Sequence, residues 1–124
     1  MKPFCPSLEQ YTRRQSCEVR IGGVTIGGEH PVAVQSMTTA NTLDTASAVA
    51  EIGRIRNAGG RIVRLTAPGR REAENLKNIA QETAEQYPDV ALVADIHFVA
   101  DLASVAADYV DKVRVNPGNY NDPD

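Results

Sequence analysis

The sequence predicts an α/β fold: a β-hairpin followed by (βα)3β with parallel strands, the N-terminal part of a (β/α)8 TIM barrel. Three observations lead there. Short apolar runs begin near residues 32, 61, 90 and 112. Segments of helical periodicity separate them, and strand–helix–strand at roughly 30-residue spacing is the mark of a parallel βαβ unit. The apolar runs scarcely alternate, as expected of strands whose sheet is covered by helices.

Each element has its own warrant. Residues 1–16 read as a polar N-terminal tail, and 17–31, "CEVRIGGVTIGGEHP", as a hairpin turning at Gly22-Gly23. Residues 32–124 carry the barrel rhythm. "PVAVQSM" (31–37) is an apolar strand leaving polar residues at its end. Residues 44–60 place Ala48, Val49, Ile52 and Ile55 on one helical side, with Asp44 at the start and Gly59-Gly60 at the stop. "RIVRLT" (61–66) is the second strand. Over 71–87, Leu76, Ile79, Ala80, Thr83 and Ala84 line one helix face, and Pro88 ends it. "VALVADI" (90–96) is the third strand. Val99, Leu102, Ala103, Ala106 and Val110 space a third helix, and "KVRVN" (112–116) is the fourth strand. A (β/α)8 barrel takes about 250 residues, so four strands correspond to its first half. The rival architecture is a small doubly wound sheet.

The totals narrow the function classes. Apolar residues make up 42% of the chain, enough for a core, and few are aromatic, so Val, Ile, Leu and Ala build it. A net charge of −3 argues against nucleic acid or an anionic membrane as partner. No apolar run approaches the roughly 20 residues of a membrane span, and no secretion signal is evident. Cys5 and Cys17 read as free thiols of a cytoplasmic protein. Two histidines and two cysteines supply no metal site, and neither a P-loop nor a GxGxxG after a strand is present.

The strand ends carry the chemistry. In both architectures ligands bind at the carboxyl ends of the strands. There the sequence places Gln35 and Ser36; Arg64 and Thr66; Asp95 and His97; Arg114 and Asn116. Alternation puts Ile62, Arg64 and Thr66 on one face of their strand, opposite Val63 and Leu65. Lys112, Arg114 and Asn116 likewise share a face, as do Asp95 and His97. The apolar sets belong against the helices, so Arg64 and Arg114 should point inward. A charge inside a parallel sheet is costly unless it meets a partner or an anion. Two inward arginines suggest an anionic ligand, and their forked donors suit phosphate. A purely structural ion network of Arg64 and Arg114 with Asp95 stands beside that reading, and Asn116-Pro117-Gly118-Asn119 also reads as a simple turn.

Four motifs, "VQSMT" (34–38), "IVRLT" (62–66), "LVADIHF" (92–98) and "VRVNPGN" (113–119), closely resemble hydroxymethylbutenyl diphosphate synthase in order and spacing. The upstream "RR…VRIGGVTIGG" matches its start, and the resemblance covers about residues 11–120. "YTRR" and "DKVRVNPGNY" look most like the longer, three-domain form of bacteria and plants. The resemblance implies a (β/α)8 barrel that binds a cyclodiphosphate substrate, 2-C-methyl-D-erythritol 2,4-cyclodiphosphate. The family reductively opens and dehydrates it in the methylerythritol phosphate route to isoprenoids. It implies a [4Fe–4S] cluster held by three cysteines and a glutamate, with ferredoxin or flavodoxin as electron donor. It places the family in the bacterial cytoplasm, or in the plastid stroma of a plant. Carried over by motif, Arg64 and Arg114 grip the diphosphate with Asn116 beside them. Asp95 and His97 line the pocket, and Gln35 and Ser36 its floor. The cluster ligands have no counterpart in this chain, which therefore reads as a truncated, inactive piece that self-associates through its open edges. Two rival readings remain at this point: an anion-binding barrel enzyme of pteroate synthase type, and a non-catalytic interaction fragment.

Overall fold

A computed structural model describes residues 7–97 and 99–118. Nine elements follow in order: β1 (Val19–Ile21), β2 (Val24–Ile26), β3 (Gln35–Met37), α1 (Thr45–Asn57), β4 (Ile62–Ala67), α2 (Arg70–Gln86), β5 (Ala91–Ile96), α3 (Leu102–Ala107) and β6 (Lys112–Val115). β1 and β2 form an antiparallel hairpin, in which Gly22 takes the positive φ of 57° that the turn requires. β3, β4, β5 and β6 form one parallel sheet in sequence order. Together these make a partial barrel: each crossover helix lies on the same side, and the sheet's other face is the barrel interior.

Alternation sorts the core into two parts. Val63, Leu65 and Ala67 of β4, with Leu92, Ala94 and Ile96 of β5, pack against Ala48, Val49 and Ile52 of α1, Ala73, Leu76 and Ile79 of α2, and Leu102 and Ala106 of α3. The opposite face begins with Ile62, Ala91 and Val93, which pack with Ile21 of the hairpin. The hairpin therefore closes the amino-terminal end of the interior face. On the two central strands polar residues enter that face only farther along, at Arg64 and Thr66 of β4 and Asp95 of β5. β5 is buried at all six positions, as expected of a strand covered on both faces.

The helix ends follow their residues. The Asp44 side chain accepts the Ser47 amide at 3.1 Å and the Ser47 hydroxyl at 2.7 Å, capping α1. At its other end the Gly60 amide donates to the Ile55 carbonyl and the Gly59 amide to the Arg56 carbonyl, with Gly59 at φ 103°. That is a Schellman stop, and it needs glycine at the left-handed position.

Two elements are shorter than their sequence patterns. β3 covers only Gln35–Met37, and Val32 and Val34 are 92% and 56% exposed. β3 is an edge strand with one neighbour; of the apolar residues before it, Ala33 packs against the interior-face cluster, while Val32 and Val34 stay exposed. The third helix is Leu102–Ala107, and Val99 is exposed. Asp111 explains the early stop. Its amide donates to the Leu92 carbonyl and its carboxylate accepts the Leu92 amide, drawing the chain onto β5. The Val110 amide still donates to the Ala106 carbonyl at 3.1 Å, and the chain leaves for β5 at the next residue.

Candidate anion-binding site

The site lies at the carboxyl ends of β4, β5 and β6. Asp95, on the interior face of β5, is its hub and is 2% exposed. Parallel register sets Thr66 and Arg114 on either side of it. Arg114 Nη1 donates to Asp95 Oδ1 at 2.9 Å. Arg64 Nε lies 3.4 Å from Asp95 Oδ2, and His97 Nε2 lies 3.4 Å from the same oxygen. Both oxygens of one carboxylate thus organise two guanidinium groups and an imidazole from three strands. A buried carboxylate needs such partners, since desolvation without them is costly.

The partners are not exhausted by Asp95. Arg64 Nε is buried without a hydrogen bond, because its approach to Oδ2 has ion-pair distance but not hydrogen-bond geometry. Arg64 Nη2 donates at 3.5 Å to the Met37 sulfur, a weak acceptor. Two guanidinium charges against one carboxylate leave one formal positive charge, the imidazole left aside. The Arg64 and Arg114 side chains are 29% and 37% exposed, so the cluster faces an open space above the strands. The arrangement can hold an anion by charge and by forked donors, with Asp95 fixing the forks.

The other expected positions divide. Asn116 follows β6, and alternation places it on the Arg114 side. Its Oδ1 accepts the Gly118 amide at 3.0 Å, so it also shapes the turn after the strand. Asn119 and Phe98 lie outside the described residues. Gln35 and Ser36 were expected together on the pocket floor, and that expectation needs correction. Neighbouring residues of a strand point to opposite faces, and register pairs Gln35 with Ile62 but Ser36 with Val63. Gln35 therefore shares the interior face at the level of the apolar base, and Ser36 belongs to the helix side. Both are exposed, because β3 is an edge.

Sequence reasoning placed Thr38 and Thr39 at the strand end but missed Met37 as a neighbour of Arg64 and how the segment after it is held. Thr38 is buried, and its amide donates to the Arg64 carbonyl at 3.0 Å, extending the β3–β4 ladder beyond Met37. Alternation applied to β3 would have found Met37, since register places it beside Arg64.

A family model described as the GcpE TIM-barrel domain matches residues 16–124. The chain belongs to the GcpE TIM-barrel family. Its GcpE relatives include a protein of Phocaeicola vulgatus, 53% identical over 116 residues, which are 94% of this chain and 19% of the relative. A relative from Akkermansia muciniphila is 48% identical over 119 residues, 96% of the chain and 20% of the relative. One from Chlorobaculum tepidum is 47% identical over 110 residues, 89% of the chain and 15% of the relative. All three are named 4-hydroxy-3-methylbut-2-en-1-yl diphosphate synthase (flavodoxin). The chain spans about a fifth or less of the length of these curated relatives. Membership of the GcpE family sets aside both the doubly wound sheet and the pteroate synthase-type rival. Among the described residues, no helix is long and apolar enough to cross a membrane.

Proposed function

We propose that this chain is the N-terminal substrate-binding part of a 4-hydroxy-3-methylbut-2-enyl diphosphate synthase. That enzyme reductively opens and dehydrates 2-C-methyl-D-erythritol 2,4-cyclodiphosphate, with flavodoxin or ferredoxin as donor. The relatives' shared name supports the reaction, and its suffix supports flavodoxin. The observation that carries the binding role is the under-satisfied Arg64. Its guanidinium sits inside a parallel sheet, with Nε lacking a hydrogen bond and Nη2 resting on a thioether. A diphosphate oxygen would supply the acceptor that the protein does not. In this reading Arg64 and Arg114 hold the diphosphate, and Asp95 keeps both guanidinium planes in place. His97 and Asn116 stand at the outer edge of the same face.

The [4Fe–4S] cluster of the family does not fit the residues of this chain. The sequence has two cysteines, and Cys17 is an exposed free thiol on the hairpin side, at the opposite end from Asp95. Among the described residues, no group of three His, Cys, Asp or Glu side chains could hold a metal ion. The reducing step therefore belongs to residues beyond this segment, and the 124-residue polypeptide should show no turnover with a chemical reductant.

The test is a titration of the isotope-labelled chain with the cyclodiphosphate, followed by NMR. Arg64 and Arg114 resonances should shift together. Arg64→Met or Arg114→Met should each weaken binding about tenfold or more. Arg56→Met serves as control, because Arg56 pairs with Asp89 at the far end of the strands. It should change affinity by less than about twofold. Equal losses from Arg56→Met and Arg64→Met would show nonspecific charge attraction and overturn the proposal.

A further inference from the structure

Glu51 lies on α1, outside the cluster around Asp95, and presents an unusual set of partners. Its Oε1 accepts the Thr39 amide at 3.1 Å and the Thr39 hydroxyl at 2.9 Å. Its Oε2 accepts the Thr39 amide at 3.0 Å and the Ala40 amide at 2.9 Å. Two successive backbone N–H groups and a hydroxyl therefore converge on one carboxylate. Such convergent amides are the usual means by which a loop binds an anion. Here the anion is part of the protein.

The segment so held is the β3–α1 connection. Thr38 donates its amide to the Arg64 carbonyl. The Thr42 hydroxyl donates to the Thr66 carbonyl at 2.6 Å, and Asn75 Nδ2 donates to the Thr42 carbonyl at 2.8 Å. Thr38 and Thr42 are buried at 6% and 3% exposure, while Thr39 between them is exposed. The connection is thus fastened at each end to β4, and Glu51 fastens its middle through Thr39 and Ala40. Met37, whose sulfur receives Arg64 Nη2, immediately precedes it.

We propose that Glu51 is a positioning residue: its carboxylate occupies an anion niche formed by Thr39 and Ala40, and so holds the rim segment beside Arg64. Loss of the carboxylate frees the middle of the segment and lets Met37 and Thr38 shift against the Arg64 strand. That consequence for ligand binding rests on the anion-site reading above. The niche itself does not, because it is read in the free protein.

Hydrogen exchange at single amides, measured on the full 124-residue chain, separates the two. Glu51→Ala should speed exchange of the Thr39 and Ala40 amides by about tenfold or more, while the Val63 and Leu92 amides of the central strands keep their protection. Added formate, small enough for the vacated space, should restore slow exchange at Thr39 and Ala40 in the alanine variant only. Glu51→Gln keeps an oxygen acceptor without the charge and should fall between. It also stands in should the alanine variant fail to fold. Unchanged exchange at Thr39 and Ala40, an equal rise at Val63 and Leu92, or no response to formate would each overturn the assignment. In a parallel titration with inorganic pyrophosphate, Glu51→Ala should weaken binding several-fold. If the wild-type chain shows the niche by exchange but binds no pyrophosphate, Glu51 is upheld as the holder of the segment and the anion-site reading fails.

Discussion

At the scale of single residues, Asp95 decides between a structural ion network and a ligand site. Its two oxygens face Arg114, Arg64 and His97, so the network exists. What separates the readings is whether the network is complete without a ligand. Asp95→Asn removes the only carboxylate among these groups and leaves two guanidinium groups facing each other. Breaking a buried pair this way should cost about 2–4 kcal/mol, toward the lower part of the usual range because both arginines reach solvent. Pyrophosphate should then raise the melting temperature of Asp95→Asn more than that of the wild type, since it replaces the lost negative charge. An equal or smaller rise in the variant would mark the cluster as structural only. The pairing of Asp95, Arg64, Arg114 and His97 was legible in the sequence, because alternation along each strand is a rigid rule. Glu51 was not. A glutamate on an amphipathic helix looks like any solvated surface charge, and nothing in the pattern of Thr39 and Ala40 shows where their amides point.

Two carboxyl groups give the fold an acid-sensitive side. Burial alone would raise Glu51, but the Ala40 and Thr39 amides, the Thr39 hydroxyl and the nearby Arg54 charge outweigh it, so its carboxyl ionises below its ordinary value of 4.5. Asp44 is lowered from 3.8 by its bonds to the Ser47 hydroxyl and amide. A depressed folded-state value means that the folded chain holds fewer protons than the unfolded chain. The stability from each group is therefore fully present above its ordinary value and is lost as pH falls through the lower, folded one. Thermal melts between pH 7 and about pH 3 should show a decline beginning near the ordinary carboxylate range. Glu51→Gln should flatten part of that decline. A decline of unchanged steepness would remove Glu51 as a source.

Elements were legible to the extent that their own residues set their limits. α1 begins at its Asp44 cap and ends at Gly59-Gly60, where a left-handed glycine and two backbone bonds close it. α2 ends where Tyr87 and Pro88 follow it. α3 is different, for its end is set by Asp111 binding Leu92 across the sheet, a contact distant in sequence from the helix pattern. Thr83 shows the same limit. It was correctly read onto the buried face of α2, yet its hydroxyl is buried without a hydrogen bond. A buried hydroxyl without a partner costs stability, and valine has the same branched shape. Thr83→Val should therefore raise stability by about 1 kcal/mol, readable as a higher denaturant midpoint with unchanged slope. A lowered midpoint would mean that the hydroxyl has a partner in solution.

At the scale of the whole molecule, the described sheet has two open edges, β3 and β6. An unpaired edge offers backbone donors and acceptors to another chain. Val32 and Val34 beside β3 add exposed apolar surface to one of them. The side chains make the pairing selective. β6 carries Lys112 and Arg114, whereas β3 carries Gln35, Ser36 and Met37. Two β6 edges would set like charges opposite each other, which is unfavourable, while β6 against β3 of a second copy would not. Two copies joined twice in this way bring together eight strands, the number in a closed (β/α)8 barrel. This self-association was already an expectation of the sequence, and charge now gives it a direction. Sedimentation of the 124-residue polypeptide should therefore show a species of about twice 13.4 kDa that dissociates on dilution. Met37→Lys, which puts a cation on the β3 edge, should shift the equilibrium toward monomer by introducing the repulsion that β3 now lacks. Met37→Leu, equally disruptive to the sulfur contact but uncharged, should leave it nearly unchanged. A single 13.4 kDa species at the highest soluble concentration, or equal behaviour of the two variants, would rule out pairing between these edges.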